Sequence, residues 1–144
     1  MIQYWDTSAL VKLVVGEEGS PAARACTEDA SYMLTCRITF VEAMAAIARA
    51  QRLDRLSPGA AGMARAGFRG LWQGLLIVEV DQGLVERAAH LAGVHALRGY
   101  DATHLAAAVS LQRPGEPVAL ITWDQDLSAA GSMEGLRALP EGTR

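Results

Sequence analysis

The 144-residue chain contains very little cysteine or lysine. Its two cysteines, Cys26 and Cys36, are ten residues apart, a spacing that matches neither a zinc knuckle nor a redox pair. We therefore expect both to be buried, reduced thiols. Lys12 is the only lysine. This argues against phosphotransferases of the receiver or haloacid-dehalogenase type, because their sites need a lysine late in the chain.

Long apolar runs and a positive net charge are also missing. The uncharged stretches are far shorter than a bilayer span requires, and no basic segment followed by an apolar core and a cleavage site opens the chain. We therefore expect a cytoplasmic protein that makes no membrane contact. The formal net charge of -3 excludes a uniformly basic surface for wrapping nucleic acid, but it allows a local basic patch. No glycine-rich turn follows the first apolar run, which excludes a dinucleotide-binding module.

The remaining pattern is that of an α/β fold. Apolar runs of β-forming residues alternate with alanine- and leucine-rich helical stretches. A length of 144 residues and a hydrophobic content of 51% fit a single domain over residues 1–144. The predicted strands are Ile2–Trp5, Tyr32–Thr35, Leu75–Val80, Val118–Trp123 and Leu136–Leu139. The predicted helices are Ser8–Val15, Pro21–Thr27, Thr39–Arg52, Pro58–Trp72, Gln82–Leu97, Asp101–Leu111 and Leu127–Ala130. Gly99 and Tyr100 are predicted to separate the fifth helix from the sixth.

Four acidic residues lie among apolar neighbours: Asp6, Glu42, Asp101 and Asp124. Asp6 and Asp124 each end a predicted strand, and ligands of open parallel sheets bind beyond the carboxyl ends of the strands. The two aspartates converge if their strands are neighbours, and the helices that carry Glu42 and Asp101 begin near the same edge. Carboxylates gathered there would repel one another unless a divalent cation lay between them. This arrangement predicts a metal-dependent hydrolase.

Each acid also has a simpler structural explanation. Asp6 and Asp124 stand where aspartates commonly cap helices, and Asp101 can complement a helix dipole. Glu42 is too far inside its helix to cap it, although a solvated helical face would also explain it. Its apolar neighbours are predicted to face the core: Phe40, Val41, Met44 and Ile47. His104, one turn after Asp101, is interpreted as a packed, hydrogen-bonded histidine.

Four segments enclose these acids: Asp6-Thr7-Ser8-Ala9-Leu10-Val11-Lys12-Leu13, Thr39-Phe40-Val41-Glu42-Ala43, Tyr100-Asp101-Ala102-Thr103-His104-Leu105-Ala106-Ala107-Ala108, and Leu120-Ile121-Thr122-Trp123-Asp124-Gln125-Asp126-Leu127. In this order, and over nearly the whole chain, they resemble PIN-domain ribonucleases, most closely the VapC-type toxins of bacterial toxin–antitoxin pairs. The resemblance implies a three-layer α/β sandwich with a parallel five-stranded sheet in the order 3-2-1-4-5. It also implies endoribonuclease activity that depends on Mg²⁺ or Mn²⁺.

The resemblance assigns the catalytic acidic cluster to Asp6, Glu42, Asp101 and Asp124. Of these, it implies metal binding by Asp6, Asp101 and Asp124. It adds Asp126 as an additional or alternative acid, and Ser8 and Thr122 as polar residues beside the site. The implied partners are an RNA substrate, a small cognate antitoxin and a second copy of the chain in a homodimer. The alternative function is a catalytically silent PIN-like module that binds RNA or protein.

Arginines cluster after Glu42: Arg49, Arg52, Arg55, Arg65 and Arg69. The guanidinium fork matches phosphate geometry. Arg49, Arg52 and Arg69 are therefore candidate contacts for RNA or for a protein partner. A solvated helical face is the simpler explanation of the same pattern.

Overall fold

The computed structural model describes residues 1–142 and is built around a parallel five-stranded sheet. Its strands are β1 (Ile2–Trp5), β2 (Tyr32–Cys36), β3 (Leu76–Val78), β4 (Val118–Ile121) and β5 (Arg137–Leu139). Its helices are α1 (Thr7–Val11), α2 (Ser20–Glu28), α3 (Thr39–Arg52), α4 (Pro58–Gln73), α5 (Gln82–His95), α6 (Gly99–Ser110) and α7 (Gln125–Met133). The sheet order β3-β2-β1-β4-β5 confirms the predicted order.

Helices cover both faces of the sheet, which confirms the three-layer arrangement. β1 is the central strand and pairs in parallel with β2 on one side and β4 on the other. Because successive strand residues point to opposite faces, Tyr4 and Trp5 are fully buried in different layers. Tyr4 packs in the core formed with α5, α6 and α7, whereas Trp5 packs in the core formed with α1, α2, α3 and α4.

Helix α6 is almost entirely buried, and its composition explains why. Every residue from Ala102 to Val109 is buried, and most are alanine or other small residues, so the helix can lie close to the sheet and to α5. Because α6 leads into β4 and runs back along the sheet, its first turn lies at the carboxyl edge of the strands. This placement brings Asp101 to the same edge as the residue that follows β1.

The element boundaries differ from the predictions at a few ends. Gly99 and Tyr100 do not form a break between helices, because α6 already begins at Gly99, with Arg98 as its N-cap. Asp101 consequently lies in the first turn of α6. β3 covers only Leu76–Val78 because it is an edge strand that pairs with β2 alone. No helix within residues 1–142 is long and apolar enough to cross a membrane.

Three further sequence predictions need correction. Helix α1 ends at Val11, because the next residues form tighter turns in which each N–H bonds to a carbonyl three residues back. Val41 does not face the core and is 62% exposed, because the buried stripe of α3 runs through Ala43 and Ile47 at helical spacing. Cys26 is only partly buried, although both cysteines are free thiols as predicted.

Candidate active site

Asp6 follows β1 directly and caps α1. Its Oδ1 accepts the Ala9 N–H at 3.0 Å, and its Oδ2 accepts the Thr122 hydroxyl at 2.7 Å. The Ser8 hydroxyl lies 2.8 and 3.0 Å from the two carboxylate oxygens. Donors from the start of α1 and from the end of β4 therefore fix this buried carboxylate in one orientation. Both polar positions that the sequence singled out, Ser8 and Thr122, contact it.

The electrostatic state of Asp6 follows from its burial. Burial raises the pKa of the carboxyl above its ordinary value, and the charge of His104 and the hydrogen bonds from Thr122 and Ser8 oppose the rise. The neighbours of Asp6 therefore do not fully offset the cost of burying its charge. A nearby cation would favour its ionised form, which is the property expected of a metal-binding carboxylate.

Glu42 lies in the first turn of α3, and a chain of buried polar groups holds it. Its Oε1 accepts the Thr7 hydroxyl at 2.8 Å and lies 2.6 Å from Nε2 of His104. The Tyr4 hydroxyl lies 2.7 Å from Nδ1 of the same histidine. Within residues 1–142, the hydrogen bonds of Glu42 all use Oε1, which leaves Oε2 for a ligand.

His104 and Glu42 form an ion pair at the base of the site. Burial lowers the pKa of His104, but hydrogen bonds with Cys36 and Glu42 and the charges of Cys36 and Asp6 raise it to about 10. Burial also raises the pKa of Glu42, yet His104 and Thr7 bring it below its ordinary value. The imidazolium therefore lies beneath the acidic cluster and offsets part of its repulsion. The geometry agrees with the interpretation of His104 as a packed, hydrogen-bonded residue.

Asp101 and Glu42 line the same open cavity, which has a volume of about 640 Å³. Oδ2 of Asp101 accepts a hydrogen bond from Nε of Arg98 at 3.1 Å. Asp101 therefore has a cationic neighbour on the solvent side, whereas Glu42 has its cation on the protein side.

Asp124 caps α7 and is joined to Asp6 through one hydroxyl. Its Oδ1 accepts the Leu127 N–H at 2.9 Å, and its own N–H donates to Thr122 Oγ1 at 3.0 Å. Since that hydroxyl donates to Asp6, Thr122 couples the two aspartates across the β1–β4 pair. Asp126 lies in the first turn of α7 and is exposed.

All four acids thus lie at the carboxyl edge of the sheet. In the described part of the chain, no group of three or more His, Cys, Asp and Glu side chains forms a ready-made metal cage. Mg²⁺ keeps several of its waters and is commonly held by one or two carboxylates. The oxygen donors at this edge are of the type that a hydrated, hard cation takes.

The three candidate arginines are exposed, and one of them lies near the acids. Arg49 lines a second cavity of about 630 Å³ together with Thr7 and Ser8. Arg52 is exposed at the end of α3, and the guanidinium of Arg69 lies 5.2 Å from the ring centroid of Phe40. Within residues 1–142, Arg49, Arg52 and Arg69 form no ion pair.

Sequence reasoning missed Tyr4 and Thr7. Thr7 stands next to Asp6 and could have been noticed as a hydroxyl at the site edge. Tyr4 lies in an apolar strand, where it resembles an ordinary core aromatic. Its hydroxyl matters only because α6 places His104 opposite it, and this pairing spans 100 positions of sequence.

The raised pKa of His104 predicts how stability depends on pH. Its contribution is complete below the ordinary value of 6.5 and is lost as the pH rises through about 10. We expect His104→Gln to lower the free energy of unfolding below pH 6.5 and to flatten its decline between pH 6.5 and 10. Urea unfolding across this range measures both effects. His90→Gln, at an exposed position of α5, is the matched control and should keep the wild-type profile. Equal slopes for His104→Gln and wild type would contradict the ion pair.

Sequence comparison places these residues in a family. The PIN-domain family matches residues 4–132. Over 137 residues the chain is 36% identical to ribonuclease VapC45 and to ribonuclease VapC49, both from Mycobacterium tuberculosis. Each alignment covers 95% of this chain and 94% of the relative.

Solved structures share the fold at lower identity. PAE2754 from Pyrobaculum aerophilum has a TM-score of 0.69 at 21% identity, with 96% of this chain and 84% of that chain covered. Mycobacterium tuberculosis VapC20, a sarcin–ricin loop cleaving toxin, has a TM-score of 0.66 at 23% identity, with 90% and 95% covered. A toxin–antitoxin complex from Klebsiella pneumoniae has a TM-score of 0.63 at 23% identity, with 88% and 90% covered. The family match over most of the sequence, supported by this shared fold, shows that the chain belongs to the PIN-domain family.

Proposed function

We propose that this protein is an endoribonuclease and the toxin of a toxin–antitoxin pair. The observation that carries the proposal is the buried carboxylate of Asp6 at the edge where Glu42, Asp101 and Asp124 also lie. The substrate class follows from the two ribonucleases that are 36% identical over nearly the whole chain. Residues 1–144 are proposed to form one PIN domain.

The proposed reaction is hydrolysis of an RNA phosphodiester bond. We infer that Asp6, Asp101 and Asp124 would hold Mg²⁺ or Mn²⁺, since hard cations prefer oxygen ligands. When bound, such an ion supplies Lewis-acid stabilisation of the phosphate charge and lowers the pKa of water.

The residues of the chain itself supply orientation. Ser8 and Thr122 hold Asp6 in one orientation by their hydrogen bonds. Glu42 is held through Oε1 alone and lines the cavity with Asp101, so Oε2 can accept a hydrogen bond from the attacking water and orient it. Asp126, exposed one turn into α7, is proposed as an additional acid only.

A small cognate antitoxin is the proposed protein partner, because one of the similar structures is a toxin–antitoxin complex. A homodimer and a cytoplasmic location remain predictions. The alternative function, a silent module that binds RNA or protein, predicts binding without cleavage. Purified protein that cuts RNA in Mg²⁺, and stops cutting when the ion is chelated, contradicts that alternative.

Removal of single carboxylates tests the active site. We expect Asp6→Asn and Asp101→Asn each to reduce RNA cleavage about 100-fold or more, because acid–base and charge roles in catalysis are commonly of this size. The free energy of unfolding should change by only about 1 kcal/mol. For Asp6→Asn, relief of a buried charge offsets weaker hydrogen bonds; for Asp101→Asn, a largely exposed pair with Arg98 is lost.

Both variants are measured by gel-based cleavage of labelled RNA and by urea unfolding. Asp29→Asn, on the exposed turn after α2, is the matched control and should retain wild-type cleavage. Undiminished cleavage by both Asp6→Asn and Asp101→Asn would refute the assignment of these acids to catalysis.

Metal binding is predicted to stabilise the folded protein, since only the fold assembles the acids. An ion at about 100 times its dissociation constant adds about 2.7 kcal/mol, which corresponds to a rise of roughly 5–10 °C in melting temperature. Differential scanning fluorimetry with Mg²⁺ or Mn²⁺, at constant ionic strength, measures this rise without any RNA. We expect Asp101→Asn and Asp124→Asn, which each remove a proposed ligand, to lose it and Asp29→Asn to keep it. Equal stabilisation of all four proteins would place the ion elsewhere.

The exposed arginines are proposed to contact RNA phosphates or the protein partner. Arg49 supports this best, because it shares a cavity with Thr7 and Ser8 beside the acids. We expect alanine at Arg49, Arg52 or Arg69 to weaken RNA binding and to reduce the slope of log affinity against log salt by about 0.7 per lost phosphate contact. Cleavage at saturating RNA should change much less.

Filter binding across a salt series measures both affinity and slope. Arg24→Ala, on the exposed surface of α2, is the control and should match the wild type. Wild-type affinity and slope for all three variants would show that this helical face is only solvated.

A further inference from the structure

The cavity that contains Glu42 and Asp101 extends well beyond the acids. It lies between α5 and the start of α6, and its volume of about 640 Å³ falls in the range of about 300–1,000 Å³ that is typical of ligand pockets. Its wall on the α5 side consists of small or aliphatic side chains: Val85, Ala88, Ala89 and Ala92. Hydrolysis needs only the acidic end, so the apolar wall has no role in the chemistry proposed above.

Tyr100 stands at the opening of this cavity and is 65% exposed. It belongs to the first turn of α6, immediately before Asp101, so a rigid and otherwise buried helix fixes its backbone position. Within residues 1–142 its ring stacks on no other aromatic ring. A planar, solvent-exposed ring beside an apolar wall is suited to receive a second flat ring.

Arg98 adds a cation to the same opening. Its side chain is 86% exposed, and only Nε is engaged, in the hydrogen bond to Asp101. The terminal guanidinium nitrogens are therefore open to an anionic ligand, and their fork geometry matches a phosphate. An apolar wall, an exposed aromatic ring and a phosphate-binding cation are the three groups that recognise one unpaired nucleotide.

We propose that this cavity is a nucleotide subsite of the ribonuclease, in which one unpaired base next to the cleaved bond stacks on Tyr100 and packs against the α5 wall. Arg98 contacts the phosphate that flanks this base. The subsite rests on the proposed function and deepens it, because it defines the substrate as RNA that is single-stranded at the cleavage site. A base held in a duplex cannot enter, since its faces are already stacked.

RNA fits this cavity better than an inhibitory protein does, because the opening carries a cation and adjoins the acids. The opening carries an arginine beside the acids that would act on a phosphodiester, and the next phosphate along the same strand is the nearest ligand for it. A protein side chain could fill the apolar part of the cavity. A protein, however, carries no regularly spaced anion that would lie beside Arg98, whereas every nucleotide of RNA carries a phosphate.

The test measures binding of a labelled, unstructured RNA oligonucleotide to Tyr100→Ala, Tyr100→Phe and Tyr100→Trp. All are made in the Asp6→Asn background, in which cleavage is expected to be slow, and are measured without added divalent metal. Loss of one stacked base costs about 1–3 kcal/mol, so we expect roughly 5- to 150-fold weaker binding by Tyr100→Ala. Phenylalanine and tryptophan should restore affinity, because they keep the flat ring. Arg98→Ala should weaken binding and lower the salt slope by about 0.7.

Tyr32→Ala is the matched control. Tyr32 is 60% exposed, but it begins β2 and so lies at the opposite edge of the sheet. Its removal should leave RNA affinity unchanged. A second arm replaces single nucleotides of the RNA by abasic sites. Removal of the base that stacks on Tyr100 should weaken wild-type binding as much as Tyr100→Ala does. When both changes are combined, the loss of binding free energy should be far smaller than the sum of the two separate losses.

The outcomes separate the subsite from the function on which it rests. A wild-type protein that neither binds nor cleaves single-stranded RNA overturns the function itself. A wild type that cleaves RNA, together with a Tyr100→Ala variant of unchanged affinity, overturns the subsite alone. If Tyr100→Ala keeps its RNA affinity but binds a cognate antitoxin more weakly, the cavity belongs to the protein partner, and the proposal is likewise overturned. Equal binding of duplex and single-stranded RNA has the same consequence.

Discussion

The hydrogen bond of 2.7 Å from Thr122 to Asp6 ties together the ends of the two central strands. A buried carboxylate is unfavourable unless donors or cations surround it, and Asp6 meets this requirement with hydroxyls from two chain segments and one backbone N–H. The same Thr122 hydroxyl accepts the N–H of Asp124. One oxygen atom therefore fixes the relative positions of two acids that are more than a hundred residues apart in sequence.

Charge balance explains why the rest of the site is arranged as it is. The described residues place one cation, His104, on the protein side of the cluster, and Tyr4 and Cys36 surround its inner nitrogen. The histidine holds Glu42 through one oxygen and lowers its pKa, so that this acid stays ionised without any other ion. Asp6 differs, because burial dominates and its pKa is raised. The two acids therefore differ in their electrostatics: the histidine compensates the charge of Glu42, whereas burial of Asp6 is not fully offset by its neighbours.

The sequence predicted the layout of this site better than its chemistry. Strand β1 and helix α3 are predictable because their apolar periods are regular, and the convergence of Asp6 and Asp124 follows from parallel strands that end at one edge. The sequence does not reveal which groups hold the acids. Val41 was predicted to be buried although it lies off the buried stripe of α3, and Thr7 was overlooked because its partner, Glu42, is 35 positions away. Local patterns give the direction of a side chain, whereas such contacts depend on how helices pack across the sheet.

The two cavities beside the acids suggest how a strand of RNA would lie on the protein. Glu42 lines one cavity with Tyr100, and Thr7, which donates a hydrogen bond to Glu42, lines the other with Arg49. The hydrogen bond between Thr7 and Glu42 therefore joins the lining of an apolar cavity to that of a second cavity bordered by cations. Under the proposed function, a single strand of RNA that occupied both cavities would pass over this joint. Because α1 and α6 are both anchored in the buried core, the separation of the two cavities is fixed by the fold, and it would position the substrate before any chemistry occurs.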